Sequence, residues 1–486
     1  MTPKSPQLVR TAMSAILQAQ RSPETAHIPD TLESVRVILN ELLLREQADF
    51  FVSYHAEGRA LLDEGSALLG SSAHTGLSVP DNADLNAATV AVTEALGDLV
   101  LALDERGDAP ARQLAERIVA WELGYYAHGM EEAVNRAADD DNPRHNLTAE
   151  RLQTYLRAHR PEWPNITVKN LKLQPGGFSK ITALVDVHDD KNGDHGIVVR
   201  AAPPRRMLDL DGHIISLEYP VLRYAFGQEM PMAEPYFFEA DLKHIGMQFI
   251  VSERMPGRIM GGIQGSSETS EEALKDVIAL MARIANLPVD RKDPLLQASH
   301  LKRWLAHETL ADNTRDFIVY WRDIGISGNA PTSPLVTRGV HWLLNNVPQE
   351  DARQNLIHGD IGFHNILFEG DKLSALLDWE NTRYGDSAEE LTNFMLATSS
   401  QASREQILAW YLEAGGPDIS EYRLRYYDVY HCIKMVIAAQ VSSQRVEEDP
   451  EGSIHLAVYG LQYLYYVGKK LNELISLAEQ AKVTTQ

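Results

Sequence analysis

An aspartate, an asparagine and a second aspartate stand at Asp360, Asn365 and Asp378 in the run LIHGDIGFHNILFEGDKLSALLDWENTRYGD, residues 356–386, whose other positions are largely apolar. A carboxylate and an amide carbonyl make a suitable partial shell for Mg²⁺, which takes few protein ligands and completes its octahedron with water and substrate phosphates. A separate carboxylate nearby can accept the proton of an attacking hydroxyl. Phosphoryl transfer asks for this combination: charge neutralised at the phosphates, and a nucleophile held in position.

Those side chains need a scaffold. NILFEGDKLSALLDWE reads as two short strands around the turn EGDK, a hairpin that brings Asn365 and Asp378 together, with Asp360 on the loop leading in. Upstream, β-branched runs separated by turns (NITVKNLKLQ, ITALVDVHD, GIVVRAA, GMQFIVSERM) predict a small antiparallel sheet, with KNGD at 191–194 as a hairpin turn. LEYPVLRYAFG has a helical pattern, and its Pro220 is tolerable near a helix start. From Ser266 onward the pattern is helical apart from the opening run.

The first part of the chain is helical in pattern: Leu32, Val35, Leu39 and Leu42 follow an Asp30/Glu33 capping box. EGRALLDEGSALLG, ATVAVTEALGDLVLAL and ARQLAERIVAWELGYYAHGMEEAVNRAA continue it. DDDNPRH, from Asp139, offers charge, Asn and Pro and nothing to bury, which marks a linker. The expected organisation is an N-terminal helical domain (1–138), a linker (139–146), a sheet-bearing lobe (147–254) and a helical lobe carrying the polar loop (255–486).

Bulk properties narrow the partners. A formal charge of −23 over 486 residues repels phosphate polymers and anionic lipid, so neither nucleic acid nor a membrane is expected as partner. An anionic ligand must therefore meet a local basic site. The single cysteine, Cys432, lies in apolar CIKMVIAA and reads as an inert buried thiol, which excludes a disulfide framework. TAMSAILQAQ is too polar and too short for a signal-peptide core, and no apolar run is long enough to span a bilayer, so cytoplasmic residence is the expectation.

HGDIGFHN resembles the H-G-D-x-x-x-x-N catalytic loop, and LLDWE the metal-binding D-x-E segment, of the aminoglycoside phosphotransferase and choline kinase family, which shares the protein-kinase fold. Protein kinases proper carry H-R-D and D-F-G, whereas Gly359 and Trp379 stand here in place of Arg and Phe. The resemblance covers roughly residues 165–400 and implies an α+β, two-lobed protein-kinase-like fold behind the N-terminal all-α domain. It implies ATP and Mg²⁺ as cofactors, Asp360 as the base or orienting carboxylate, and Asn365 and Asp378 as metal ligands. His358 would brace the loop, and Gly385, Asp386 and Glu390 would be scaffold.

A nucleotide clamp should follow in order along the sheet. Gly176 and Gly177 sit in a turn between two strands, where the missing Cβ lets backbone N–H groups approach phosphate oxygens. Arg200 ends GIVVRAAPP where a lysine is usual, as in the branch of the family that occurs alone in bacteria or fused to acyl-CoA dehydrogenases. Glu218 in LEYPVL matches its expected helix partner, and Glu253 and Met255 would meet adenine through their main chains. Arg205, Arg206 and Arg383 could add positive potential for an anionic substrate, but solvated surface arginines are the favoured reading.

The expected activity is phosphorylation of a hydroxyl on a small molecule, with a hydroxyacyl thioester or an aminoglycoside as acceptor. The competing reading is a catalytically inactive nucleotide-binding scaffold. The N-terminal helical domain is a candidate for contacting substrate, gating the cleft or mediating dimerisation. His128 and Glu132, one helical turn apart, read as a solvated helix face, and Asn146-Leu147-Thr148 as a chance glycosylation triplet.

Overall fold

The computed structural model describes residues 48–70, 85–127, 147–174, 180–203, 208, 210–261, 269–326, 333–448, 464 and 466–485. Gly176, Gly177, Arg205, Arg206, the Asp30/Glu33 capping box, His128, Glu132 and the 139–146 linker lie outside these residues. By compactness the chain divides into one unit of residues 1–140, 315–347 and 428–486, and a second of 141–314 and 348–427. The break at 140/141 falls in the linker read from the sequence. Residues 315–347 and 428–486, assigned by that reading to the helical lobe, group with the N-terminal helices instead.

Within the first unit, helices Ala48–Leu69, Leu85–Arg106 and Ala109–Ala127 bury Leu96, Leu99, Val100, Leu103, Leu114 and Ile118 against one another. Helix Pro334–Asn345 is capped by Ser333, whose hydroxyl accepts from Val336 N. The buried Glu122 carboxylate accepts from Ser333 Oγ at 2.7 Å and from Leu335 N at 2.8 Å, so both its oxygens are occupied at this helix start. Cys432 is buried and its thiol is pushed up to about 12 by desolvation, in line with an inert core residue.

The second unit carries the expected α+β arrangement. β1 (Thr167–Leu173), β2 (Ile181–Asp189), β3 (Gly193–Ala201), β4 (Pro235–Glu239) and β5 (Phe249–Glu253) form one antiparallel sheet in the order β1-β2-β3-β5-β4. β2 alternates strictly between buried and half-buried positions, so Ile181, Ala183, Val185 and Val187 meet Leu152, Tyr155 and Leu156 of helix Ala149–His159 in one core. That helix starts at Thr148, whose hydroxyl accepts from Arg151 N; the threonine of the glycosylation triplet is thus a helix cap. The KNGD hairpin forms with Gly193 at φ +70, a left-handed turn position.

β4 escaped the sequence reading because it is short and opens on a proline. Pro235 is acceptable there: β4 lies at the sheet edge, where one face of its backbone has no strand to donate to. Helix Ile215–Gly227 holds Pro220 as its sixth residue, deeper than the first turn, at the loss of one bond to the Ser216 carbonyl.

Beyond β5, β6 (Arg258–Ile259), β8 (Ile366–Glu369) and β9 (Lys372–Leu376) make a three-stranded sheet, and β7 (Asn355–Ile357) pairs with β10 (Arg383–Gly385). Helices Glu271–Ala285, Ser387–Ala397 and Arg404–Glu413 surround them. Asn286 caps the first of these, donating to Ala282 O at 2.9 Å and Gly415 O at 2.7 Å. Among the described residues no helix is long and apolar enough to cross a membrane.

Candidate active site

The β8–β9 hairpin turns at Gly370, φ +60, and pairs Ile366 with Leu376. Asn365 therefore precedes one strand as Asp378 follows the other, and Leu377 N donates to Asn365 O at 2.8 Å. Asn365 Nδ2 donates to Asp360 O at 3.0 Å and to Asp360 Oδ2 at 3.1 Å, which leaves its amide oxygen for a cation. The expected trio thus sits on one hairpin and the loop leading into it.

Asp378 adopts φ 64, ψ 62, a left-handed conformation that ends β9. Such a conformation in a residue with a side chain is costly and persists where its surroundings enforce it. Burial first, and then Glu380, push the Asp378 carboxyl up to about 7, although Arg200 opposes the shift. Surplus negative charge of this kind suits a divalent cation. Among the described residues no three His, Cys, Asp or Glu side chains converge as a metal site, which Mg²⁺ with its few protein ligands does not require.

The catalytic-type loop is held from behind. Glu390, on helix Ser387–Ala397, accepts from His358 N at 3.1 Å and Gly359 N at 2.7 Å. His358 is fully buried; its ring donates from Nε2 to Leu377 O at 2.9 Å and stands edge-on to Trp379 at 4.9 Å. Desolvation lowers its pKa to about 4, so it stays a neutral brace, as expected from the sequence. Glu390 is likewise scaffold.

Gly359 explains why this loop lacks the arginine of protein kinases. Its φ is +82, and a Cβ there would run into the Asn381 carbonyl oxygen. Gly359→Ala is expected to lower unfolding stability by about 2–4 kcal/mol, from backbone strain plus the collision. Chemical denaturation of the two proteins checks this, and a difference below about 0.5 kcal/mol would contradict the geometry.

Glu390 also gives the loop a pH signature. Burial raises its pKa to about 8, above the unfolded carboxyl value, so its contribution to stability is complete below about 4.5 and is lost as pH rises through 8. His358 runs the opposite way, costing stability as pH falls from 6.5 toward 4, while Asp378, raised to about 7, runs the same way as Glu390, so the Glu390 share between about 6.5 and 8 is read as the difference between wild type and variant. Across that window the melting temperature of Glu390→Gln should vary less with pH than that of the wild type. Parallel curves would refute the assignment.

On the sheet side, Arg200 Nη1 donates to Glu218 Oε1 and Nη2 to Asp378 Oδ1 at 2.6 Å. The expected strand–helix pair is present, and its guanidinium also touches the expected metal ligand. Glu253 N is committed to Glu234 O at 2.9 Å, so of its main-chain groups only the carbonyl is left for a ligand. Met255 N has no hydrogen-bond partner among the described residues.

Several members of the cluster were missed by the sequence reading. Lys180, almost wholly buried, lies 2.6 Å from Glu380 Oε2 and 3.5 Å from Glu218 Oε2. His213 Nε2 lies 3.3 Å from Glu380 Oε1, and His300 Nε2 donates to Thr382 O at 2.7 Å. Gly212 makes room for this, because a Cβ there would strike the Glu380 carbonyl oxygen. The available signal for Lys180 was its place in the sequence three residues after the Gly176-Gly177 pair. Arg383 is a correction: it is buried and bonded to Glu389 and to Asn313 Oδ1, the latter at 3.1 Å, so it is no surface cation.

A profile described as the phosphotransferase enzyme family matches residues 185–425. Acyl-CoA dehydrogenase family member 11 of Homo sapiens is 25% identical over 265 residues, 52% of this chain and 31% of that protein. The Mus musculus protein of that name is 24% identical over 259 residues, covering 52% and 32%. The match thus spans about a third of the length of these relatives. Hygromycin-B 4-O-kinase of Escherichia coli is 30% identical over 77 residues, 15% of this chain and 23% of the kinase. Among solved structures, aminoglycoside phosphotransferase APH(4)-Ia in ternary complex with AMP-PNP and hygromycin B aligns over 67% of this chain and 98% of its own, at TM-score 0.45 and 16% identity.

Proposed function

Residues 185–425 being a domain of the phosphotransferase enzyme family, we propose that this small-molecule kinase moves the γ-phosphoryl group of ATP, assisted by Mg²⁺, onto a hydroxyl. The observation that carries the reading is the joining of Asp360 to Asn365, and of Asp378 to the Arg200–Glu218 pair. Asn365 Oδ1 and the Asp378 carboxylate would hold Mg²⁺, which when bound neutralises phosphate oxygens. Asp360, with its side chain 30% exposed, orients the acceptor hydroxyl and takes its proton. Arg200 adds fixed positive charge, and Gly176 and Gly177, outside the described residues, would supply backbone N–H groups to phosphate. Adenine would accept from Met255 N and donate to Glu253 O. Cytoplasmic residence, and dimerisation through the N-terminal helices, belong to the same proposal.

Two acceptor classes are supported by names among the relatives: hydroxyacyl thioesters, through the acyl-CoA dehydrogenase family members, and aminoglycosides, through hygromycin-B kinase. ADP release by the purified chain, measured with each class and with EDTA in place of Mg²⁺, tests the proposal. Acceptor-dependent release that EDTA abolishes is the expected result. AMP-PNP binding without turnover of any acceptor would instead favour the inactive scaffold.

A further inference from the structure

We propose that Lys180, from the start of β2, is the cation that hydrogen-bonds the nucleotide phosphates, supplying from the neighbouring strand the lysine that β3 lacks. The inference rests on the nucleotide reading above. β2 and β3 pair Ile181 with Ala201 and Thr182 with Arg200, so the residue before β2 lies level with the end of β3. From there its ammonium reaches Glu218, the helix glutamate that also holds Arg200.

The two cations are used differently. Arg200 spends its fork on carboxylates, Nη1 on Glu218 and Nη2 on Asp378. Lys180 has three N–H donors and makes one hydrogen bond among the described residues, to Glu380 Oε2 at 2.6 Å, with Glu218 Oε2 at 3.5 Å. A buried ammonium with donors left over is costly unless something else accepts them. Phosphate oxygens are acceptors of the right charge, and a lysine meets them as a compact point charge. During transfer the acceptor oxygen bonds to the γ-phosphorus as the bond to the β,γ-bridging oxygen breaks. The departing ADP keeps the electron pair, the hydroxyl proton goes to Asp360, and Lys180 faces the charge on the polyphosphate. Glu380 becomes a positioning residue, fixing Lys180 on one oxygen while His213 sits at the other.

The alternative is that Lys180 only balances Glu380 and Glu218. Lys180→Met alone leaves buried carboxylates under-compensated and is prone to unfolding. The informative pair is Glu380→Gln and the double variant Lys180→Met/Glu380→Gln, which removes one charge of each sign. Melting temperature and the dissociation constant for AMP-PNP with Mg²⁺, by calorimetry, are the readouts. The expected result is a folded double variant that binds AMP-PNP at least about tenfold more weakly than Glu380→Gln, the scale of one charge-assisted hydrogen bond. Equal binding by the two overturns the role of Lys180 alone. No binding by the wild type removes the nucleotide reading, and this inference with it. Should the double variant not fold, Lys180→Arg keeps the charge but not the donor geometry: the KM for ATP should rise at least about fivefold, and an unchanged KM overturns the inference.

Discussion

Asp360→Asn is expected to lower kcat by about 10²- to 10⁴-fold while leaving the KM for ATP within about twofold, the range observed when a positioned proton acceptor is removed. The change should be confined to chemistry because the loop does not depend on this carboxylate for its shape. Glu390 grips the preceding amides of His358 and Gly359, and the His358 ring is tied to Leu377 O. Asn365 Nδ2 reaches both the Asp360 carbonyl and its side-chain oxygen, and an asparagine at 360 can still accept with its own Oδ1. Steady-state ADP release with a turned-over acceptor, alongside melting curves, separates the outcomes. A kcat within about threefold of wild type in a folded variant would remove Asp360 from the chemistry.

Asp378→Asn should lower magnesium-dependent turnover by about 10³-fold, the loss that follows from several kcal/mol of metal-borne transition-state stabilisation. Its effect on stability should have the opposite sign. The Asp378 carboxyl is pushed up to about 7 by burial and by Glu380, so at pH 8 it holds a charge that its surroundings resist. A neutral isostere relieves that cost, and the melting temperature without metal should be equal to or above that of the wild type. Addition of Mg²⁺ and AMP-PNP should then stabilise the wild type far more than the variant. Equal metal-dependent shifts in the two proteins would show that the ion is held elsewhere.

The parts of this site that the sequence disclosed share one property, which is that neighbours in the chain bring them together. Asp360, Asn365 and Asp378 lie along one loop and hairpin whose turn residues announce it, and the KNGD turn between β2 and β3 is equally local. Arg200 and Glu218 were found by their order along the chain, and they do pair. Lys180 and Glu380 are separated by 200 residues in sequence, so nothing in the periodicity of either segment points to the other. Arg383 looked solvated because an arginine after a polar turn ordinarily is, yet Glu389 and Asn313 give it buried partners. The same blindness applies to whole helices. The pattern from Ser266 onward reads as helical, but it does not say which surface covers an apolar face, and helices Pro334–Asn345 and Leu471–Thr485 fall in the unit of the N-terminal helices. Glu253 and Met255 were chosen for main-chain groups, which no side chain advertises.

The meeting of Gly359 with the Asn381 carbonyl bears on how such proteins diverge. Transplanting a His-Arg-Asp loop from a protein kinase onto this scaffold is closed, since the arginine side chain would have to begin where that carbonyl already stands. Exchanging that loop would therefore require the Asn381 segment to be rebuilt along with it.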